Sequence, residues 1–268
     1  MTDVFKDDRL LAEVVEFARA AGALAQDYFR HGDTTTAVVK FKDGNSPVTE
    51  ADKKADDFLR SRLGALLPDA GWLSEETVDS DLRLSKPRIF IVDPIDGTRA
   101  FMSGDPRWGV CVALVENGHP VFGIVHMPAL SKTYVAANGR GAFLNETPIR
   151  AQSSNPDEPL VAGPPNLLKS LAAQGMRFHA EPRIPSLAYR LVRVADGGIS
   201  VALASTNARD WDIAAADIIL REAGAGLYDI DGRAARYNKP ETRHGVLLAA
   251  APPLLDKFLI GLRRAAVN

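Results

Sequence analysis

Six consecutive residues, Asp93-Pro94-Ile95-Asp96-Gly97-Thr98, carry the densest chemistry in the chain. They follow a short apolar run, Arg88-Ile89-Phe90-Ile91-Val92, that reads as a buried strand. A carboxylate at the end of a buried strand is costly unless something compensates its charge. Here a second carboxylate follows three residues later, in a turn stiffened by Pro94 and Gly97. Two anions held that close repel. A hard divalent cation such as Mg²⁺, which prefers oxygen ligands, relieves the repulsion. Gly97 and Thr98 can also open a helix, whose free N–H groups would face a phosphate. Taken alone, the hexapeptide also fits an ordinary turn, because Asp-Gly is a common turn pair. An EF-hand is a poor fit in both Asp spacing and glycine position.

Two other segments add carboxylates. Glu75-Glu76 lies in Leu73-Ser74-Glu75-Glu76-Thr77, after a short apolar stretch. Asp210-Trp211-Asp212 precedes Ile213-Ala214-Ala215-Ala216-Asp217 and reads as a helix start, where the dipole favours acids. Alone, the first reads as a solvated loop and the second as a capped helix. Their joint presence points to one acidic cluster.

These residues need elements to position them. Leu10, Leu11, Val14, Phe17, Ala18, Ala21 and Leu24 recur at helical spacing and predict a helix over residues 9–30. Residues 36–41 read as a strand, and Lys42-Asp43-Gly44-Asn45-Ser46-Pro47 as a turn-rich loop. A second helix is predicted from Thr49 to about Leu67, with Thr49 and Asp52 forming a capping box. Strands follow at Trp108–Val115 and Pro120–Met127, joined through the hairpin signal Asn117-Gly118. Shorter strands, Lys132–Ala136 and Ala142–Leu144, flank a turn at Asn138-Gly139. A polar linker over residues 152–159 divides an N-terminal α+β half, residues 1–151, from a C-terminal half, residues 152–268. In the second half helices are predicted at Ser186–Ala195, Asp212–Ala223 and Pro253–Arg264. Strands there are predicted at Ile199–Leu203, Leu227–Ile230 and Gly245–Ala249, with Asp229-Ile230-Asp231-Gly232 a turn. Trp72 and Trp108 read as core.

Composition excludes several classes. The chain is 46% hydrophobic and 25% charged, the mix of a soluble globular protein. A formal net charge of −2 advertises neither a nucleic-acid polymer nor an anionic membrane as partner. Cys111 is the only cysteine, so disulfides and cysteine zinc sites are excluded and a cytoplasmic location fits. The N-terminus lacks the apolar core of a signal peptide. No stretch approaches the ~18 apolar residues of a membrane span. No Ser–His or Cys–His nucleophile pair is evident.

Taken together, Glu75-Glu76, Asp93 to Thr98 and Trp211-Asp212-Ile213-Ala214-Ala215 resemble the inositol monophosphatase family of metal-dependent phosphatases. Ser46-Pro47-Val48-Thr49-Glu50-Ala51-Asp52, Gly141-Ala142-Phe143-Leu144-Asn145 and Glu222-Ala223-Gly224 extend the resemblance over nearly the whole chain. It implies an α+β fold, a layered αβαβα sandwich of the inositol monophosphatase/fructose-1,6-bisphosphatase type. It implies two or three Mg²⁺ ions and a small-molecule phosphate monoester as substrate. Glu75, Asp93 and the carbonyl of Ile95 would bind the first ion, and Asp93, Asp96 and Asp212 the second. Thr98 and Asp52, with Glu75, would activate the attacking water. The Gly97 and Thr98 amides would hold the phosphate. The resemblance also implies lithium sensitivity and leaves a homodimer open.

Within the family, inositol-specific members place a glutamate seven residues before the Trp-Asp aspartate, and here that position is Ser205. Arg190 stands where bisphosphate nucleotidases often carry a basic residue, and Arg209 adds charge nearby; Arg190 also reads as a surface residue. Lys40 and Lys42 precede Asp52 and read as solvated or as part of the site. The expected function is therefore that of a 3′(2′),5′-bisphosphate nucleotidase-like enzyme. Inositol-1-monophosphatase and histidinol phosphatase are the alternatives. A fold-retaining regulatory binding protein and a calcium-stabilised structural protein are non-enzyme readings that would not need Thr98 with the full ligand set.

Overall fold

Helix α1 (Asp8–Gln26) opens the computed structural model, which describes residues 8–42, 44–152 and 155–267. The signal-peptide reading of the first residues lies outside the described residues. So do Asp43 of the predicted loop and Ser153 and Ser154 of the predicted linker. The helix stops short of the predicted residue 30 because Phe29 leaves it to bury against Phe101 and Trp108, at ring-centroid distances of 5.9 and 5.5 Å. Strands β1 (Val39–Lys42) and β2 (Ser46–Thr49) pair antiparallel, so half of the predicted turn-rich loop is strand. Pro47 is tolerated because this ribbon has only two strands. Helix α2 (Glu50–Leu66) follows, and Thr49 and Asp52 form the predicted capping box.

Then come β3 (Gly71–Ser74), β4 (Arg88–Asp96), the one-turn α3 (Thr98–Met102), β5 (Gly109–Glu116) and β6 (His119–Met127). Strands β7 (Lys132–Ala137), β8 (Ala142–Leu144) and β9 (Thr147–Ile149) complete a seven-stranded sheet in sequential order. Its β3–β4 pair is parallel and the rest antiparallel. The second half contains β10 (Leu160–Ala162), α4 (Pro165–Ala173), β11 (His179–Ala180), α5 (Leu187–Ala195) and β12 (Val201–Ala204). It ends with α6 (Asp210–Glu222), β13 (Gly226–Asp229), β14 (Leu247–Ala250) and α7 (Pro252–Val267). Its five strands are ordered β11-β10-β12-β14-β13.

Strand alternation builds the layers. On β4, Phe90 and Val92 face one way, against α1 and α2 through Val14, Leu59 and Leu63. Ile89 and Ile91 face the other way, into a core shared with α5 and α6 and with Ala202 and Ala249 of the second sheet. Val201, Leu203 and Leu248 point from that sheet to α4 and α7 through Leu171 and Phe258. The order is helices, sheet, helices, sheet, helices: the αβαβα sandwich expected from the resemblance. No helix among the described residues is long and apolar enough to cross a membrane.

One contact fixes the height of α6 above the first sheet. A Cβ on Gly123 of β6 would lie 2.4 Å from the Ala215 carbonyl oxygen and 2.6 Å from Ile218 Cγ2. The helix therefore rests on bare backbone. Gly123→Ala is expected to cost about 1–3 kcal/mol by overpacking and to push α6, with Asp212, off the sheet. The urea midpoint and kcat check this together, and a wild-type value of either contradicts it.

Candidate active site

Strand parity explains how an anion comes to be buried here. Asp93 continues the Ile89–Ile91 face of β4 and so points toward α6. Beyond Asp93 the pairing with β5 slips. Asp93 opposes Cys111 and Asp96 opposes Gly109, so three steps on β4 match two on β5. This bulge at Pro94 and Ile95 re-aims Asp96. Gly97 then takes φ 94° and caps α3. A Cβ there would be strained and would meet the Arg107 carbonyl at 3.3 Å.

Carboxylate oxygens of Glu75, Asp93 and Asp212 lie within 4.8 Å of one another. Glu75 arrives on the turn after β3 and Asp212 in the first turn of α6. Among the described residues, Asp93 has only the Ile95 amide as a hydrogen-bond partner, at 3.0 Å. Asp212 accepts from the Arg209 amide at 2.7 Å. Lys42 reaches Glu75 Oε1 at 3.1 Å and Glu76 Oε1 at 2.9 Å, so it belongs to the site and is only half exposed. Asp96 stands beside this group and is held by the start of α5. It accepts from Ser186 Oγ, from the Ala188 amide at 2.7 Å and from the Leu187 amide at 3.2 Å. A carboxylate has about four lone-pair sites, so Asp96 keeps acceptor capacity for a cation.

Electrostatics single out the same residues. Burial, then the charges of Glu75, Asp96 and Asp212, hold the Asp93 carboxyl well above the usual range. Burial, then Asp96 and Glu75, do the same to Asp212. Burial also raises Glu75, against the pull of Lys42, and Asp96, against its α5 hydrogen bonds. The donor set is all hard oxygen and Lys42 offsets its repulsion only at Glu75 and Glu76, which fits a divalent cation.

Asp52, 1% exposed on α2, is pushed up to about 7, chiefly by burial and against the hydrogen bonds from Thr49. Its Oδ2 takes the Thr49 amide and hydroxyl at 2.7 and 2.6 Å, leaving Oδ1 to Thr98 Oγ1 at 3.4 Å. The Ile95 carbonyl, 3.1 Å from Thr98 Oγ1, competes with Asp52 Oδ1 for the same hydroxyl proton.

These raised values predict how metal-free stability depends on pH. The folded pKa of Asp52 lies above its unfolded value of 3.8, so the folded state binds more protons than the unfolded one between the two. Its contribution is therefore complete below 3.8 and is lost as pH rises through about 7. Each pH unit between the two values is about 1.4 kcal/mol, which makes Asp52 alone worth on the order of 4 kcal/mol. In chelator the melting temperature is expected to fall as pH rises across this interval, and Mg²⁺ to cancel the fall. A chelated protein that gains stability over the same interval contradicts this.

A cavity of about 420 Å³ opens from Asp212, lined by Ser205, Asn207, Arg183, Arg190 and the Gly163-Pro164-Pro165 segment. Arg190 is half-buried, with its guanidinium donating to the carbonyls of Leu203 at 2.8 Å and Ile184 at 2.9 Å. Arg209 is not in the lining: it donates to Thr242 Oγ1 at 3.0 Å and lies over the Trp211 ring. Arg183 is exposed, and no motif or spacing marked it in the sequence. Trp108 is fully buried in the core, and Asp229-Ile230-Asp231-Gly232 is a turn closed by the Gly232 amide on the Asp229 carbonyl.

The inositol monophosphatase family model matches residues 6–268. The chain belongs to the inositol monophosphatase family. Its members are metal-dependent phosphatases that hydrolyse phosphate monoesters. Among its relatives, the 3′(2′),5′-bisphosphate nucleotidase CysQ of Aggregatibacter actinomycetemcomitans is 30% identical, covering 87% of this chain and 89% of its own. The histidinol-phosphatase of Mycobacterium tuberculosis is 37% identical over 72% of this chain and 77% of its own. The solved Thermotoga maritima IMPase superposes with a TM-score of 0.81 at 27% identity, covering 94% of this chain and 96% of that one.

Proposed function

We infer that this member of the family is a Mg²⁺-dependent phosphomonoesterase with a 3′(2′),5′-bisphosphate nucleotidase-like preference. Glu75, Asp93, Asp212 and Asp96, with the Ile95 carbonyl, would hold two or three ions. Bound Mg²⁺ supplies charge neutralisation for the phosphate and a water of lowered pKa. Asp52, whose Oδ1 accepts from Thr98 Oγ1 at 3.4 Å, would take up the proton of the attacking water through that hydroxyl. The Gly97 and Thr98 amides, at the start of α3, would face the phosphate. A reducing cytoplasm, where the buried free Cys111 is undisturbed, and lithium inhibition by replacement of one Mg²⁺ belong to the same reading.

The observation that carries the substrate preference is the pair of arginines in the cavity at Asp212. Two guanidinium groups suit a second anionic group on the leaving moiety. Ser205, in the same wall, offers no carboxylate to inositol hydroxyls. A phosphate-release panel of adenosine 3′,5′-bisphosphate, inositol 1-phosphate, histidinol phosphate and fructose 1,6-bisphosphate tests this. Adenosine 3′,5′-bisphosphate is expected to exceed inositol 1-phosphate in kcat/KM by at least about tenfold, or ~1.4 kcal/mol. Arg183→Ala is expected to remove one charge-assisted hydrogen bond, about 1.5–3 kcal/mol, from the doubly phosphorylated substrate alone. Inositol 1-phosphate as the better substrate overturns the preference.

A further inference from the structure

The Glu75-Glu76 turn is fastened to α2 at both of its ends by one buried side chain. Asp56 is 5% exposed and stands one helical turn after Asp52 on the same face of α2. Ser74 Oγ donates to its Oδ1, and Thr77 Oγ1 donates to its Oδ2 at 2.8 Å. These two hydroxyls bracket Glu75 and Glu76. Each is already an acceptor: Ser74 Oγ from the Glu76 amide at 3.3 Å, and Thr77 Oγ1 from Trp72 Nε1 at 3.1 Å. Their protons therefore point at Asp56, and only a group with two accepting oxygens satisfies both.

We propose that Asp56 is a positioning residue that sets the Glu75 carboxylate for the metal site by clamping the 74–77 turn to α2. This rests on the function inferred above. Helix α2 then fixes two parts of the machinery at once: Asp52 against Thr98, and through Asp56 the turn that presents Glu75 to Asp93 and Asp212. Two accepting oxygens at position 56 are required. Asn at that position would turn an NH₂ toward one hydroxyl, whose own proton would then lack its acceptor. Glu75 would keep its charge and its contact with Lys42 but lose the register of its turn.

The test uses purified full-length chain: wild type, Asp56→Asn, Thr77→Val and, as a control, Ile124→Val in the core of β6. Two readings are taken for each. One is the Mg²⁺ concentration giving half-maximal phosphate release. The other is the Mg²⁺ concentration giving half of the metal-induced rise in melting temperature. Outer partners of metal ligands typically change affinity or activity by about 10–100-fold, and Asp56→Asn is expected to raise both readings within that range. Thr77→Val, which removes one of the two bonds and no charge, is expected to raise both by a smaller factor. Ile124→Val is expected to lower the melting temperature and move neither reading. The proposal is overturned if Asp56→Asn and Thr77→Val melt earlier yet keep wild-type Mg²⁺ readings, because the clamp would then serve the fold alone. Should Asp56→Asn fail to fold, Thr77→Val decides by the same criterion. A wild type with no Mg²⁺ response overturns the inferred function and this proposal together, whereas a responsive wild type matched by its variants overturns only the proposal.

Discussion

Asp93→Asn is expected to abolish turnover while leaving the fold intact. The side chain is 1% exposed, its carboxylate lies within 4.8 Å of those of Glu75 and Asp212, and by the family resemblance it would contact two ions. Losing its charge weakens both, and metal ions supply several kcal/mol of transition-state stabilisation. A loss of about 4 kcal/mol is roughly a thousandfold in rate. The amide oxygen can still accept from the Ile95 amide, so the β4 bulge survives. Without metal the variant is expected to melt higher than wild type, because one charge leaves a cluster whose members raise one another's pKa. Kcat at saturating Mg²⁺ and the melting temperature in chelator check the two halves. A well-folded Asp93→Asn enzyme with most of its activity contradicts the assignment of Asp93.

The second large effect is that of metal on stability. Folding holds Glu75, Asp93, Asp96 and Asp212 close together, and burial and mutual repulsion disfavour their charged forms. A cation that binds only the folded chain stabilises it by about 2.7 kcal/mol at a hundred times its Kd. Mg²⁺ is expected to raise the melting temperature at neutral pH, and less so at acidic pH, where the carboxyls are protonated. Ca²⁺ is expected to stabilise the fold as well but to inhibit turnover. It is larger and takes looser, higher coordination, which misplaces the attacking water. Thermal melts with each ion and a Ca²⁺ titration of the Mg²⁺-activated rate check this. Equal activity with either ion contradicts it.

The parts legible in the sequence are those written in local pattern. The Thr49–Asp52 capping box, the Asn117-Gly118 hairpin and the apolar run before Asp93 each state their structure within a few residues. Asp93 is a candidate because a carboxylate ending a buried strand needs compensation, and Asp212 because its helix start occurs together with the Glu75-Glu76 and Asp93–Asp96 segments. Other features depend on contacts far apart in the chain. Helix α1 ends early because Phe29 finds Phe101 and Trp108, more than seventy residues away. Strand β2 exists because Val39–Lys42 pairs with it across a segment that reads as a turn. The α5 start that holds Asp96 lies some ninety residues from it, and nothing near Asp96 announces Ser186. Arg209 adds positive charge near Ser205 in the sequence; its side chain donates to Thr242 and lies over the Trp211 ring, contacts that sequence distance does not reveal. Asp56 looks like any exposed helix acid until Ser74 and Thr77 are brought to it.

The most direct measurement is phosphate release by the purified chain from adenosine 3′,5′-bisphosphate and inositol 1-phosphate, first in chelator and then as Mg²⁺ is added back. The predicted result is no release in chelator, a rate that saturates with Mg²⁺, and no such rate from Asp93→Asn at any Mg²⁺ concentration. Release in chelator equal to that in Mg²⁺ would contradict the metal-dependent site built from Glu75, Asp93, Asp96 and Asp212.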